Sequence, residues 1–249
     1  MLRLIAAAVL TAAAPLAHAQ IEGAPFEYTV GDTTFEGYVA RNTALAEPKG
    51  TVLLVHDWDG MTAYEERRAE MLAALGYTAF AIDVYGKDEN PQSVEENRAL
   101  SGALYSDRET FRERLLGSLA AAAEIPGATD DIVVLGYCFG GAAVLEMARA
   151  GAETKGFVSF HGGLGTPEGQ DYAAVAAPVL LLHGSADPVS GMADLAALLD
   201  QLQSAGKPHG AQVFGGARHS FTVWGSNDYD LSADGGSWQA LLGFLDETL

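Results

Sequence analysis

Residues 131–141 read DIVVLGYCFGG. Asp131 to Leu135 is a short run rich in β-branched residues, as expected for a strand buried on both faces of a sheet. Gly136-Tyr137-Cys138-Phe139-Gly140-Gly141 interrupts it, and a helix is expected from Gly141 to Arg149, ended by Gly151. A tight strand-to-helix turn lifts one side chain clear of the sheet. Its backbone passes so close to its neighbours that small residues are needed two before and two after that side chain. Gly136 and Gly140 stand at those positions around Cys138. A cysteine there also lies at a helix N-terminus, where the thiolate is favoured. The bland alternative is a buried, inert cysteine beside a glycine-rich helix start.

Working outward, strands and helices alternate. Thr51–His56 and Thr78–Asp83 are buried strands before the turn. Gly156–Phe160, Val179–Leu182 and Ala211–Phe214 are strands after it. Helices are expected at Thr62–Leu75, Val94–Tyr105, Asp107–Ala123, Gly191–Ala205 and Gly236–Thr248, the first with Thr62 and Glu65 as a capping box. Phe26–Val30 and Thr34–Arg41 flank Gly31-Asp32 as an antiparallel hairpin. The pattern predicts an α/β fold: a mostly parallel sheet, helices on both faces, an N-terminal hairpin at the edge, and a site beyond the C-terminal strand ends.

Two further residues fall at such ends. Asp187 follows Val179–Leu182, and His219 follows Ala211–Phe214. The chain order nucleophile, acid, base is that of the α/β-hydrolase fold. The expected roles are attack by Cys138, proton transfer by His219 and orientation of the imidazole by Asp187. His209 precedes its strand and belongs to the opposite end of the sheet. Taken singly, Asp187 could be a turn residue before Pro188, and His219 a surface histidine. The oxyanion would need two backbone donors, the N–H of Phe139 and that of Trp58 in the loop after Thr51–His56. Asp57, just before Trp58, is either an exposed turn residue or a carboxylate that holds the thiol proton. His56, His161 and His183 read as structural histidines. No metal-ligand spacing and no phosphate loop occurs.

The chain has 249 residues, enough for one domain with a single large core. Arg3, the apolar run Leu4–Leu16 and Ala17-His18-Ala19 predict a signal peptide over 1–19, a mature domain over 20–249 beginning at Gln20, and a periplasmic or secreted location. An uncleaved anchor or a buried helix is the alternative. There are 14 Lys and Arg against 33 Asp and Glu, a net charge of −19. Loss of Arg3 makes it −20. Such a field disfavours nucleic acid and anionic membranes as partners. The single cysteine excludes an internal disulfide and leaves an unpaired thiol to be explained.

With these motifs the sequence resembles the dienelactone hydrolase family. The matching residues are Gly136-Tyr137-Cys138-Phe139-Gly140-Gly141, Asp83-Val84-Tyr85-Gly86, His183-Gly184-Ser185-Ala186-Asp187 and Gly216-Ala217-Arg218-His219-Ser220-Phe221. The likeness runs from about Phe26 to the C-terminus. It implies a monomeric hydrolase of small carboxylic esters or enol-lactones, with a Cys-His-Asp triad and no cofactor. The family's thiol-gating glutamate matches Asp57, one methylene shorter. Of its two carboxylate-binding arginines, the first matches Lys87 and the second Val223, so half of that anion clamp is missing. Tyr85 and Lys87 are the expected substrate contacts. A non-catalytic binding protein, or a redox-responsive one working through its lone thiol, is the competing class of reading.

Overall fold

The computed structural model describes residues 20–249; the expected signal peptide lies outside them. β1 (Ile21–Val30) and β2 (Thr33–Asn42) form the hairpin, with Val30 paired to Thr33. β1 starts five residues earlier than the sequence suggested. It is the edge strand, and an edge position tolerates Pro25, which lacks an amide donor. Then follow β3 (Thr51–Val55), α1 (Ala63–Ala74), β4 (Thr78–Ile82), α2 (Val94–Ser106), α3 (Arg108–Ala121), β5 (Ile132–Tyr137), α4 (Phe139–Arg149), β6 (Gly156–Phe160), β7 (Val179–Gly184), α5 (Met192–Ser204), β8 (His209–Phe214) and α6 (Leu231–Thr248).

α6 also begins five residues before its expected start. Asp230 caps it by accepting from the amides of Ser232 and Ala233, and the Gly235-Gly236 pair that obscured this turn in the sequence fits here. A methyl group on Gly236 would lie 3.0 Å from the Phe214 ring, so the small residue allows close approach to β8.

The eight strands lie in the order β1-β2-β4-β3-β5-β6-β7-β8, parallel from β4 to β8. Alternate residues of β3 face opposite sides. Val52 and Leu54 pack with Leu72 of α1 and Leu241 and Leu245 of α6. Leu53 and Val55 pack with Phe111 and Leu115 of α3, Met147 of α4 and Leu198 of α5. Every residue of β3 and β4 is buried, which explains their unbroken apolar runs.

From β3 the chain first adds β4 on one side and then β5 on the other. The strand order therefore reverses at β3, and a crevice opens beyond the C-terminal ends of β3 and β5. Buried Arg68 ties α1 to α6 and to the segment between β8 and α6. It bonds Asp234 of α6 at 2.5 Å and the Thr222 carbonyl at 3.0 Å, with the Trp224 ring 4.3 Å from its guanidinium.

Candidate active site

Cys138 sits between β5 and α4 with φ 52° and ψ −109°, a left-handed conformation that a β-carbon disfavours. Its neighbours enforce it. A β-carbon on Gly136 would lie 2.3 Å from the Gly140 carbonyl carbon, and one on Gly140 would lie 2.2 Å from the Val55 oxygen. The amide of Cys138 is held by the Phe160 carbonyl at 3.0 Å. The thiol therefore stands at the mouth of the crevice, half-buried, with the Phe139 amide directed at it from the first turn of α4.

His219 Nε2 lies 3.0 Å from the Cys138 sulfur, and His219 Nδ1 lies 2.8 Å from Asp187 Oδ2. The other oxygen of Asp187 accepts the amides of Val189 at 2.7 Å and Ser190 at 3.1 Å. Burial works to raise the Asp187 pKa. The hydrogen bond and charge of His219 and these two amides outweigh it, so the carboxyl stays below its usual range. Residues from the ends of β5, β7 and β8 thus meet in one hydrogen-bonded line. His209 opens β8 at the far end of the sheet.

Asp57 and Trp58 follow β3. Burial and the Asp59 charge push the Asp57 carboxyl up to about 6. One of its oxygens accepts the Trp58 amide in a short hydrogen bond, and the carboxylate also meets the Cys138 thiol. Burial raises the thiol pKa well above its ordinary value, and the Asp57 charge and hydrogen bond add to this. Both effects favour the protonated thiol, and the Trp58 amide is covered. The loop is held from below by fully buried Glu65, which accepts the Asp57 amide at 3.4 Å and the Thr62 amide at 3.0 Å.

Two expected substrate contacts lie elsewhere. Lys87 forms a short ion pair with Glu27 and lies 3.4 Å from Glu36, both on the hairpin. Nearby carboxylates compensate its ammonium there, and it does not reach the cleft. Tyr85 is 3% exposed and donates its hydroxyl to the Trp58 carbonyl at 2.9 Å. A buried phenol needs such a partner, so Tyr85 props the loop from behind instead of facing substrate. Arg218 pairs with Asp228 at 2.7 Å.

The cleft over the thiol has a volume of about 160 Å³. Sequence reasoning missed Ser101 and Tyr105 of α2, Gly163 after β6, and Val189 just past Asp187, all of which line it. None carried a signal: α2 belongs to no strand end, and Val189 reads as an ordinary loop residue. A larger groove of 680 Å³ between Thr166–Ala173 and the end of α5 shares no lining residue with this cleft. His56 and His183 are held structurally. His56 Nε2 accepts the Val84 amide at 3.2 Å, and His183 Nε2 donates to the Ser190 carbonyl at 2.8 Å.

The sheet order and the cysteine turn define an α/β-hydrolase. Within that class, the chain belongs to the dienelactone hydrolase family, whose sequence profile matches residues 35–249. Similar solved structures include a protein called m3DLH, 27% identical over 92% of this chain and 99% of its own, with a TM-score of 0.86. A dienelactone hydrolase-like promiscuous phosphotriesterase from metagenomic libraries is 29% identical over 93% and 99%, also at 0.86. The acylaminoacyl peptidase of Pyrococcus horikoshii shares the fold at 18% identity and a TM-score of 0.70, over 92% of this chain and 42% of its own. No curated protein matches the chain.

Proposed function

We propose that this protein is an exported hydrolase of small carboxylic esters or lactones, acting as a monomer without a cofactor through Cys138, His219 and Asp187. The observation that carries the reading is the unbroken line from Asp187 through His219 to the Cys138 sulfur, with contacts of 2.8 and 3.0 Å. Substrate entry moves the Asp57 carboxylate off the Trp58 amide. His219 Nε2 takes the thiol proton, and the sulfur attacks the carbonyl carbon. The amides of Phe139 and Trp58 stabilise the oxyanion. Collapse of the tetrahedral adduct expels the alkoxide, which takes the proton from His219 and leaves a thioester on Cys138. Water, deprotonated by His219, then hydrolyses that thioester and restores the thiol.

A redox sensor needs a readily ionised thiol, whereas burial and the Asp57 charge both disfavour ionisation of this one. A binding protein has no use for a base and an orienting acid in register behind a cysteine. The test is a panel of aryl esters, aliphatic esters and lactones, with one neutral phosphotriester because a relative carries that activity. Cys138→Ala should lower hydrolysis by about 10⁴ or more while the melting temperature holds. Activity within about twofold of the parent overturns the assignment.

A further inference from the structure

Behind the triad lies a second histidine that this chemistry does not use. His161 is fully buried just after β6, and it shares with Cys138 a positive φ, here 39°. Its own amide donates to the Leu182 carbonyl at 2.8 Å. Its Nδ1 lies 3.2 Å from the Cys138 amide nitrogen, and its Nε2 lies 2.8 Å from Thr222 Oγ1. A backbone amide can only donate, so Nδ1 accepts and carries no proton. The ring proton of the neutral imidazole then sits on Nε2 and is donated to Thr222. Thr222 comes three residues after His219 and also accepts the Tyr64 hydroxyl of α1 at 2.8 Å. The His161 ring packs edge-on to that of His219, with centroids 5.5 Å apart.

We propose that His161 is a positioning residue: a neutral, Nε2-protonated bridge that locks the nucleophile's backbone to the loop carrying the base. This rests on the hydrolase reading above. The strained backbone at Cys138 persists only where its surroundings over-determine it. The Cys138 amide is shared between the Phe160 carbonyl and His161 Nδ1, both at the end of β6. From the other ring nitrogen the bridge reaches Thr222, so one side chain sets the sulfur and the imidazole relative to each other. Neutrality matters as well. When His219 takes the thiol proton it becomes a cation, and a second cation beside it would oppose that step. Protonating His161 would set an Nδ1–H against the Cys138 N–H. The titratable groups that face it are His219, Asp187 and His183, together with Cys138, Tyr137 and, through Thr222, Tyr64. Burial, and then the His219 charge, hold its pKa well below the ordinary histidine value.

Two measurements test this. Nitrogen-15 NMR of the imidazoles should show His161 protonated on Nε2, bare on Nδ1 and not titrating between about pH 5 and 8. An Nδ1–H tautomer or a titration in that window overturns the bridge. The second is steady-state kinetics on the best ester. His161→Leu removes both contacts and should lower kcat by about a hundredfold with KM within about twofold, the scale of a misplaced catalytic group. Asparagine offers an acceptor where Nδ1 lies and tolerates positive φ, so His161→Asn should recover about tenfold of that loss. Thr222→Val breaks only the far end and should lower kcat by about tenfold. A folded His161→Leu with parental kcat, or an Asn variant no better than Leu, overturns the proposal. If His161→Leu does not fold, parental kcat in Thr222→Val does so. A parent inert on every ester, with the NMR signature intact, would fell the hydrolase reading and leave the bridge standing.

Discussion

A carboxylate on the substrate should cost this protein about a hundredfold in kcat/KM against a neutral ester of similar size. The cleft over Cys138 is walled by Trp58, Tyr105, Phe139 and Val189, and no lysine or arginine among the described residues lines it. Lys87 is held by hairpin carboxylates and Arg218 by Asp228. Arg108 lies 4.8 Å from the Tyr105 ring, but Glu146 binds it at 3.1 Å. A carboxylate brought here loses hydration and gains no partner, a penalty of several kcal/mol. Taking about 3 kcal/mol, at about 1.4 kcal/mol per factor of ten, gives a ratio of about 10². The assay compares para-nitrophenyl acetate or butyrate with para-nitrophenyl hydrogen succinate, which keeps the leaving group and adds the charge. A carboxylate-bearing lactone extends the series. Repulsion by the net charge should fade in about 1 M salt, where the Debye length is about 3 Å, while the cleft penalty should persist. Val189 is 66% exposed at the mouth, so Val189→Arg can extend over the opening without disturbing the core. It should narrow the gap by about tenfold, the scale of a charge-assisted hydrogen bond. A preference for the anionic ester would refute this reasoning, and so would a gap that vanishes in salt.

Three other outcomes follow. Asp57→Asn should move the onset of Cys138 alkylation by iodoacetamide to lower pH, because it removes the nearby negative charge that disfavours the thiolate; an unchanged profile would separate Asp57 from the thiol. Gly140→Ala places a methyl group 2.2 Å from the Val55 oxygen and 2.6 Å from the His56 oxygen. The end of β3 must then shift by about 1 Å, and kcat/KM should fall by about a hundredfold with a lower melting temperature; parental activity would show that this close approach is dispensable. Mass spectrometry of the protein from its native compartment should find Gln20 at the N-terminus, and an intact Met1 would count against export.

Much of the fold was legible because burial on both faces writes itself as an unbroken apolar run. β3, β4 and β5 were placed to within a residue or two for that reason. The two misjudged starts lie where local composition argued the other way. Glu22, Gly23 and Pro25 concealed the first half of β1, whose pairing comes from Tyr38–Asn42 of β2. Gly235 and Gly236 concealed the first turn of α6, which the local Asp230 cap and the long-range Arg68–Asp234 pair stabilise. Propensity is a weak prior where such contacts exist.

The site divides in the same way, and the division has a physical cause. A short side chain on a strand-end loop has little freedom, so strand-end position together with chain order put Cys138, Asp187 and His219 within reach of one another. A lysine has four rotatable bonds, and its head goes wherever charge is best compensated. For Lys87 that place is Glu27 and Glu36, 60 and 51 residues away in sequence. Tyr85 differs again: its backbone position was legible, but the nearest acceptor for its buried hydroxyl depended on how the Trp58 loop folded. The same loop accounts for the unpaired thiol. An exposed thiolate oxidises readily. The Asp57 carboxylate opposes ionisation of Cys138 and covers the Trp58 amide at once. A substrate that displaces Asp57 relieves both restraints together, so under the proposed mechanism the sulfur becomes reactive only where an ester is present to meet it.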